Sequence, residues 1–169
     1  MTPNPTIRLQ SLLQTLEHVI FPAVDSQNSL AQEQCGLVLG QLRMMIQHMP
    51  WFGAYHALCY DDLARTVAGL PAHGGGDVSG KACAALAQVL ARTAGMEDRN
   101  AAYHDLGHAL ETLLRAVAED GERSYRRAVE AQVLDFSRRQ SLRARTWFKD
   151  AGFDHAPEDL PSLEQMLKK

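Results

Sequence analysis

Cysteine is scarce in this 169-residue sequence, and the three present, Cys35, Cys59 and Cys83, are odd in number, widely spaced and form no CxxC pair. That pattern excludes a disulfide framework and a zinc knuckle, and leaves each thiol as a small buried hydrophobe. No apolar run reaches the roughly 18 residues of a membrane span, and the opening MTPNPTIRLQ lacks the basic-then-apolar order of a signal peptide. A cytoplasmic protein with no membrane partner is therefore expected. No internal repeat, low-complexity tract or strand-like alternation stands out. Three successive glycines at 74–76 lack both the spacing of a phosphate-binding loop and its lysine-serine ending, so LPAHGGGDVSG is read as a plain inter-helix connection with a solvated His73.

What the sequence does contain is helical periodicity. A hydrophobic fraction of 46% against 22% charge supports a full core in one domain without disulfides or metal. Leu9, Leu12, Leu13, Leu16, Val19 and Ile20 define a first helix from Thr6 to Phe21, stopped by Pro22, with His18 off its stripe. Ser29 and Gln32 form a capping box for a second helix, about Leu30 to Met49. It is apolar over most of its circumference and so is expected to lie innermost. Gly36 and Gly40, one turn apart on its remaining face, each cost helix stability of roughly 1 kcal/mol relative to alanine. Two compensations fit: close approach of another helix, within the fold or from a second subunit, and chance placement on a polar face. Self-association through the Gly36 and Gly40 face is the partner expectation.

Pro50 either separates the second helix from a third or kinks one long helix. Beyond it Phe52, His56, Cys59, Leu63, Val67 and Leu70 share a stripe, making His56 the histidine expected to face the core. Trp51, Tyr55, His56 and Tyr60 crowd the start of this helix, and they are the predicted ligand-binding residues. The competing reading is a hydrogen-bonded core histidine. A fourth helix runs from near Ser79 to Gly95, a fifth occupies residues 97–121, and a sixth runs from about Glu122 to Lys149. Residues 152–169 form a polar, proline-punctuated tail with a short helix from Pro161. The fold expected is all-α, an antiparallel bundle of five or six helices in a single domain spanning 1–169.

Chemistry-bearing residues concentrate on the fifth helix. His104, His108 and Glu111 are spaced to project together, as a helical metal site requires. Yet they fall opposite the stripe of Leu106, Leu110 and Leu113, and Arg115 shares their face, so no metal, cofactor or catalytic residue is assigned. The stretch AAYHDLGHAL resembles, over about ten residues, the His-Asp signature of HD-type metal-dependent phosphohydrolases. The resemblance implies His104 and Asp105 as metal ligands and a metal-bound water attacking a phosphate. It departs from that family in the preceding helix, where Ser79 and Lys81 stand at the distance of an expected histidine.

Residues 115–149 carry nine basic and five acidic side chains, whereas the whole chain has a net charge of −3. The interleaved acidic residues read as a salt-bridged helix face and disfavour nucleic acid; docking onto the acidic N-terminal part or an acidic partner fits better. The functional expectation is a non-catalytic interaction or small-ligand-binding protein, with the phosphohydrolase as the alternative.

Overall fold

The amphipathic stripes become helices throughout a computed structural model that describes residues 4–72, 74–152 and 154–168. The fold is all-α and 82% helical. Its elements are α1 (Pro5–Thr15), α2 (Ser29–His48), α3 (Phe52–Ala68), α4 (Asp77–Thr93), α5 (Arg99–Asp120), α6 (Arg123–Trp147) and a short α7 (Leu163–Leu167). The first predicted helix continues past α1 as a π-helical turn, Leu16–Ile20, before Pro22 ends it in a 3-10 turn. At Pro50 the choice falls on two helices, since Met49–Trp51 is a 3-10 turn between α2 and α3. His73, read as solvated, lies outside the described residues.

Caps explain most of the boundaries. The Asn28 side chain accepts from the Ala31 amide at 3.0 Å and caps α2, displacing the predicted Ser29–Gln32 box. Gln32 instead donates to the Val24 carbonyl at 2.9 Å. Asp98 caps α5 in the same manner, and Ser162 with Gln165 closes a true capping box on α7.

By its contacts the chain separates into two compact units, one of Met1–Phe52 with Trp147–Leu160 and one of Gly53–Thr146 with Pro161–Lys169. The second contains the main core. Leu63 and Val67 of α3, Leu86 of α4, Leu106, Leu110 and Leu113 of α5, and Val129 and Phe136 of α6 pack together with little or no exposure. Deletion of such fully buried leucines typically costs 2–5 kcal/mol, which is why these stripes decide the fold.

The glycine loop is more than a connection. Gly76 N–H donates to the Asp120 carbonyl at 3.1 Å, Glu122 N–H donates to the Gly74 carbonyl at 3.0 Å, and Gly75 bridges Gly121. The Asp120 carboxylate accepts from the Val78 and Ser79 amides at 2.7 and 3.0 Å. An aspartate at the end of α5 thus serves as the N-terminal cap of α4, whose own capping position is a glycine without a side chain. Hydrogen bonding from the Ser79 side chain, then from the two amides, outweighs desolvation and holds the Asp120 carboxyl below its usual range.

Within the other unit, an exposed ion pair at 2.6 Å joins Arg43 of α2 to Glu17 of the π-helical turn, and the Thr6 hydroxyl of α1 contacts Met49 Sδ in the turn after α2 at 3.2 Å. Here the expectation that α2 is innermost fails: of its twenty residues, only Leu39 and His48 are buried. A helix that is apolar all round is buried only if neighbours cover every side. Inside its unit α2 has α1, the following turns and residues 147–160 as neighbours, and these leave one broad face open.

Candidate functional site

Three of the four predicted site residues are carried by α3. Tyr55 and His56 are consecutive and half-buried, with ring centroids 6.2 Å apart. Tyr60 is buried, donates its hydroxyl to Thr93 Oγ1 of α4 at 3.2 Å, and lies beneath the Arg99 guanidinium, 4.8 Å from the ring centre. Its polar tip is therefore consumed within the core. Trp51 sits in the turn before α3 and belongs to the other unit. The cavities described below are lined by other residues.

Helix spacing also brings Tyr55 onto Cys59. Burial, then the thiol, push the Tyr55 phenol far up, and burial raises Tyr103 of α5 as well, so both stay neutral donors at physiological pH.

The same unit holds a polar cluster built around Asp62. Arg143 of α6 donates from Nη2 to Asp62 Oδ2 at 2.6 Å, and Arg139 Nε reaches Oδ1 and Oδ2 at 3.2 and 3.1 Å. Arg139 also donates to Thr66 Oγ1 at 3.2 Å and pairs with Asp135, while Arg143 Nε donates to Gln140 Oε1 at 3.0 Å. Burial alone raises the Asp62 carboxyl, but hydrogen bonds from both arginines, and their charges, outweigh it and hold the group below its ordinary range. A carboxylate so saturated is a lock between α3 and α6, not a base. The basic helix thus docks on an acidic residue of the preceding part of the chain, as the interleaved charges suggest. Asp62 and Arg143 each sit inside an apolar stripe, at i+3 from Cys59 and i+7 from Phe136. Opposite charges on two facing stripes are a readable signal.

On α5 the polar trio faces outward. The His108 and Glu111 side chains are 79% and 55% exposed, Glu111 Oε1 accepts from Arg115 at 2.6 Å, and His108 Nδ1 stands 3.9 Å from Glu111 Oε2. His104, His108 and Glu111 help line an open cleft of about 220 Å³ that also takes in Leu63, Leu110 and Phe136. Asp105 is ion-paired with Arg92 of α4 at 2.9 Å. Among the described residues no group of three or more histidine, cysteine, aspartate or glutamate side chains is placed to hold a metal ion. No described helix is long and apolar enough to cross a membrane.

No protein-family model, curated protein or solved structure matches this chain.

The first unit carries the distinctive surface. Among the described residues, eight of the twelve exposed large hydrophobic side chains lie between Ile7 and Met45: Ile7, Leu12, Val19 and Ile20 on the first helix and its π-turn, and Leu30, Leu37, Val38 and Met45 on α2. Two grooves run beside α2. One, about 160 Å³, is lined mainly by apolar side chains including Leu16, Ile20, Phe21, Cys35 and Val38. The other, about 200 Å³, is lined by Gly36, Leu37, Gly40, Gln41 and Met44 with Asp150 and Ala151. A Cβ added at Gly36 or Gly40 would meet nothing within 4 Å, so close packing within the fold is not what offsets their helical cost.

The same unit holds the buried histidine. It is His48 and not His56: His48 is 1% exposed, its ring 4.7 Å from the Trp147 ring, and neither ring nitrogen has a hydrogen-bond partner among the described residues. The sequence conceals this because Trp147 lies almost a hundred positions away. Burial lowers the His48 pKa, against a smaller opposing pull from the Asp150 charge. Since the folded value lies below the unfolded reference of about 6.5, stability is full above that pH, falls as pH drops through it, and levels off beneath the folded value. His48→Phe is expected to remove this acid-sensitive step from a series of thermal melts between pH 5 and 7.5. A pH profile identical to that of the parent protein would mean that the ring is hydrated.

Proposed function

We propose that this chain is a non-catalytic, cytoplasmic interaction protein: the second unit is a self-locked helical core, and the open face of α2 receives a partner. The observation carrying this is the gathering of exposed apolar side chains on α1 and α2, beside two largely apolar grooves. Scattered exposed leucines are ordinary, but a contiguous apolar patch on a folded protein marks a docking surface. Three free cysteines, none in a disulfide, suit a reducing compartment. Against the metal-dependent phosphohydrolase stands the Arg92 pairing of Asp105, because a carboxylate already neutralised by a guanidinium is a poor cation ligand.

Site-specific photocrosslinking in cells tests this reading. Benzoylphenylalanine placed at Val38 is expected to give a discrete adduct, and the same group at exposed His108 of the other unit to give none. Absence of any adduct at Val38 and Leu37, or equal labelling at His108, would end it.

A further inference from the structure

The apolar residues on the open face of α2 recur with a period of seven. Three doublets, Leu30 with Ala31, Leu37 with Val38, and Met44 with Met45, are spaced one heptad apart. Gln34 and Gln41 fall between them and are exposed. At about 100° per residue all eight lie within an arc of roughly 140°, the arrangement of a coiled-coil seam. Glu33 and Arg43, the charged side chains of α2, lie outside that arc.

The pattern also reads the same in both directions about its centre, between Leu37 and Val38. We infer that α2 pairs in antiparallel fashion with α2 of a second copy of this chain, about a two-fold axis at that centre. This rests on the interaction reading above and names the partner. In such a pair Leu30 and Ala31 of one copy meet Met45 and Met44 of the other, while Leu37 of each copy meets Val38 of the other at the axis. Gln34 meets Gln41 of the second copy, where each amide supplies both a donor and an acceptor. Apolar groups face apolar groups and amides face amides along the whole seam, the self-complementarity that an isologous interface demands. An unrelated partner would not require the palindrome. Residues 30–45 span about 24 Å at 1.5 Å per residue. Ile20, which lines the groove beside Val38, widens the patch. A footprint of this length is at the small end of protein interfaces, so association in the micromolar range is expected.

Sedimentation equilibrium of the purified full chain at about 100 μM is expected to give twice 18.7 kDa. Two double variants then test the register, both changing exposed side chains and so sparing the fold. Gln34→Glu with Gln41→Glu sets like charges against each other in the antiparallel pair and is expected to weaken dimerisation at least about tenfold. Gln34→Glu with Gln41→Lys sets opposite charges together and is expected to hold or tighten it. A parallel pair would place Glu beside Glu in both variants and weaken both. A monomer at this concentration, or equal effects of the two variants, overturns the inference. If the Val38 photoadduct proves to contain a different protein, the second copy is ruled out while the interaction reading stands; if no adduct forms, both fall.

Discussion

Asp62→Ala is expected to lower the unfolding free energy by about 3–5 kcal/mol, because it strands Arg143, whose side chain is 10% exposed, without its counter-charge. The cost lies less in the lost attraction than in leaving a buried guanidinium unpaired. Urea denaturation at pH 7 measures it. A second variant separates these terms: Asp62→Leu combined with Arg143→Met removes both charges and is expected to recover most of the loss, since a buried ion pair and well-packed apolar side chains are often equivalent. The pH dependence follows from the depressed Asp62 carboxyl. Its contribution is present above the unfolded value of about 3.9 and is lost as pH falls through the lower folded value, so the gap between parent and Asp62→Ala should close in strong acid. A loss below about 1 kcal/mol at pH 7 would show that Arg139 and Arg143 swing into solvent at little cost.

Gly75→Ala is expected to cost about 1–3 kcal/mol, the range for forcing an extra methyl group into a packed site. The new Cβ would sit 1.9 Å from Ser79 Oγ, 2.9 Å from Ser79 Cβ and 3.4 Å from the Gly121 Cα. Ser79 is itself 1% exposed, and its amide is held by Asp120. Rotating the hydroxyl relieves only the first contact. Adding Ser79→Ala should therefore restore part of the stability but not all of it, a coupling that a double-mutant cycle reads directly. Faster hydrogen exchange at Val78 and Ser79 would report the loosened cap of α4. Full tolerance of Gly75→Ala would mean that the loop moves away from the α5–α6 junction without penalty. Gly76 is equally confined, with an added Cβ 2.4 Å from Asp120 Oδ2.

Local periodicity made much of this protein legible. The stripe of Ala102, Leu106, Leu110, Leu113 and Val117 is buried as its spacing requires, and His104, His108 and Glu111 face away from it. The short helix after Pro161 follows from cap chemistry that acts over a few residues, whereas at Pro50 the sequence left a break and a kink equally open. The site was less readable. Tyr55, His56 and Tyr60 are neighbours by helix geometry, yet whether their polar tips were free depended on Thr93 and Arg99, which no local pattern ties to α3.

By itself, then, the sequence determined which segments are helical and which face of most of them is apolar, because these depend on a 3.6-residue period and on neighbours within about a turn. Only the tertiary structure decided which apolar faces are covered. Asp120 caps a helix 42 positions upstream, His48 lies against Trp147, Asp62 is gripped by arginines 77 and 81 positions away, and α2 keeps the heptad stripe of Leu30 to Met45 open. The reason is physical: hydrophobicity says that a face gains free energy by leaving water, about 25 cal/mol per Å² of apolar area, but not which surface it meets.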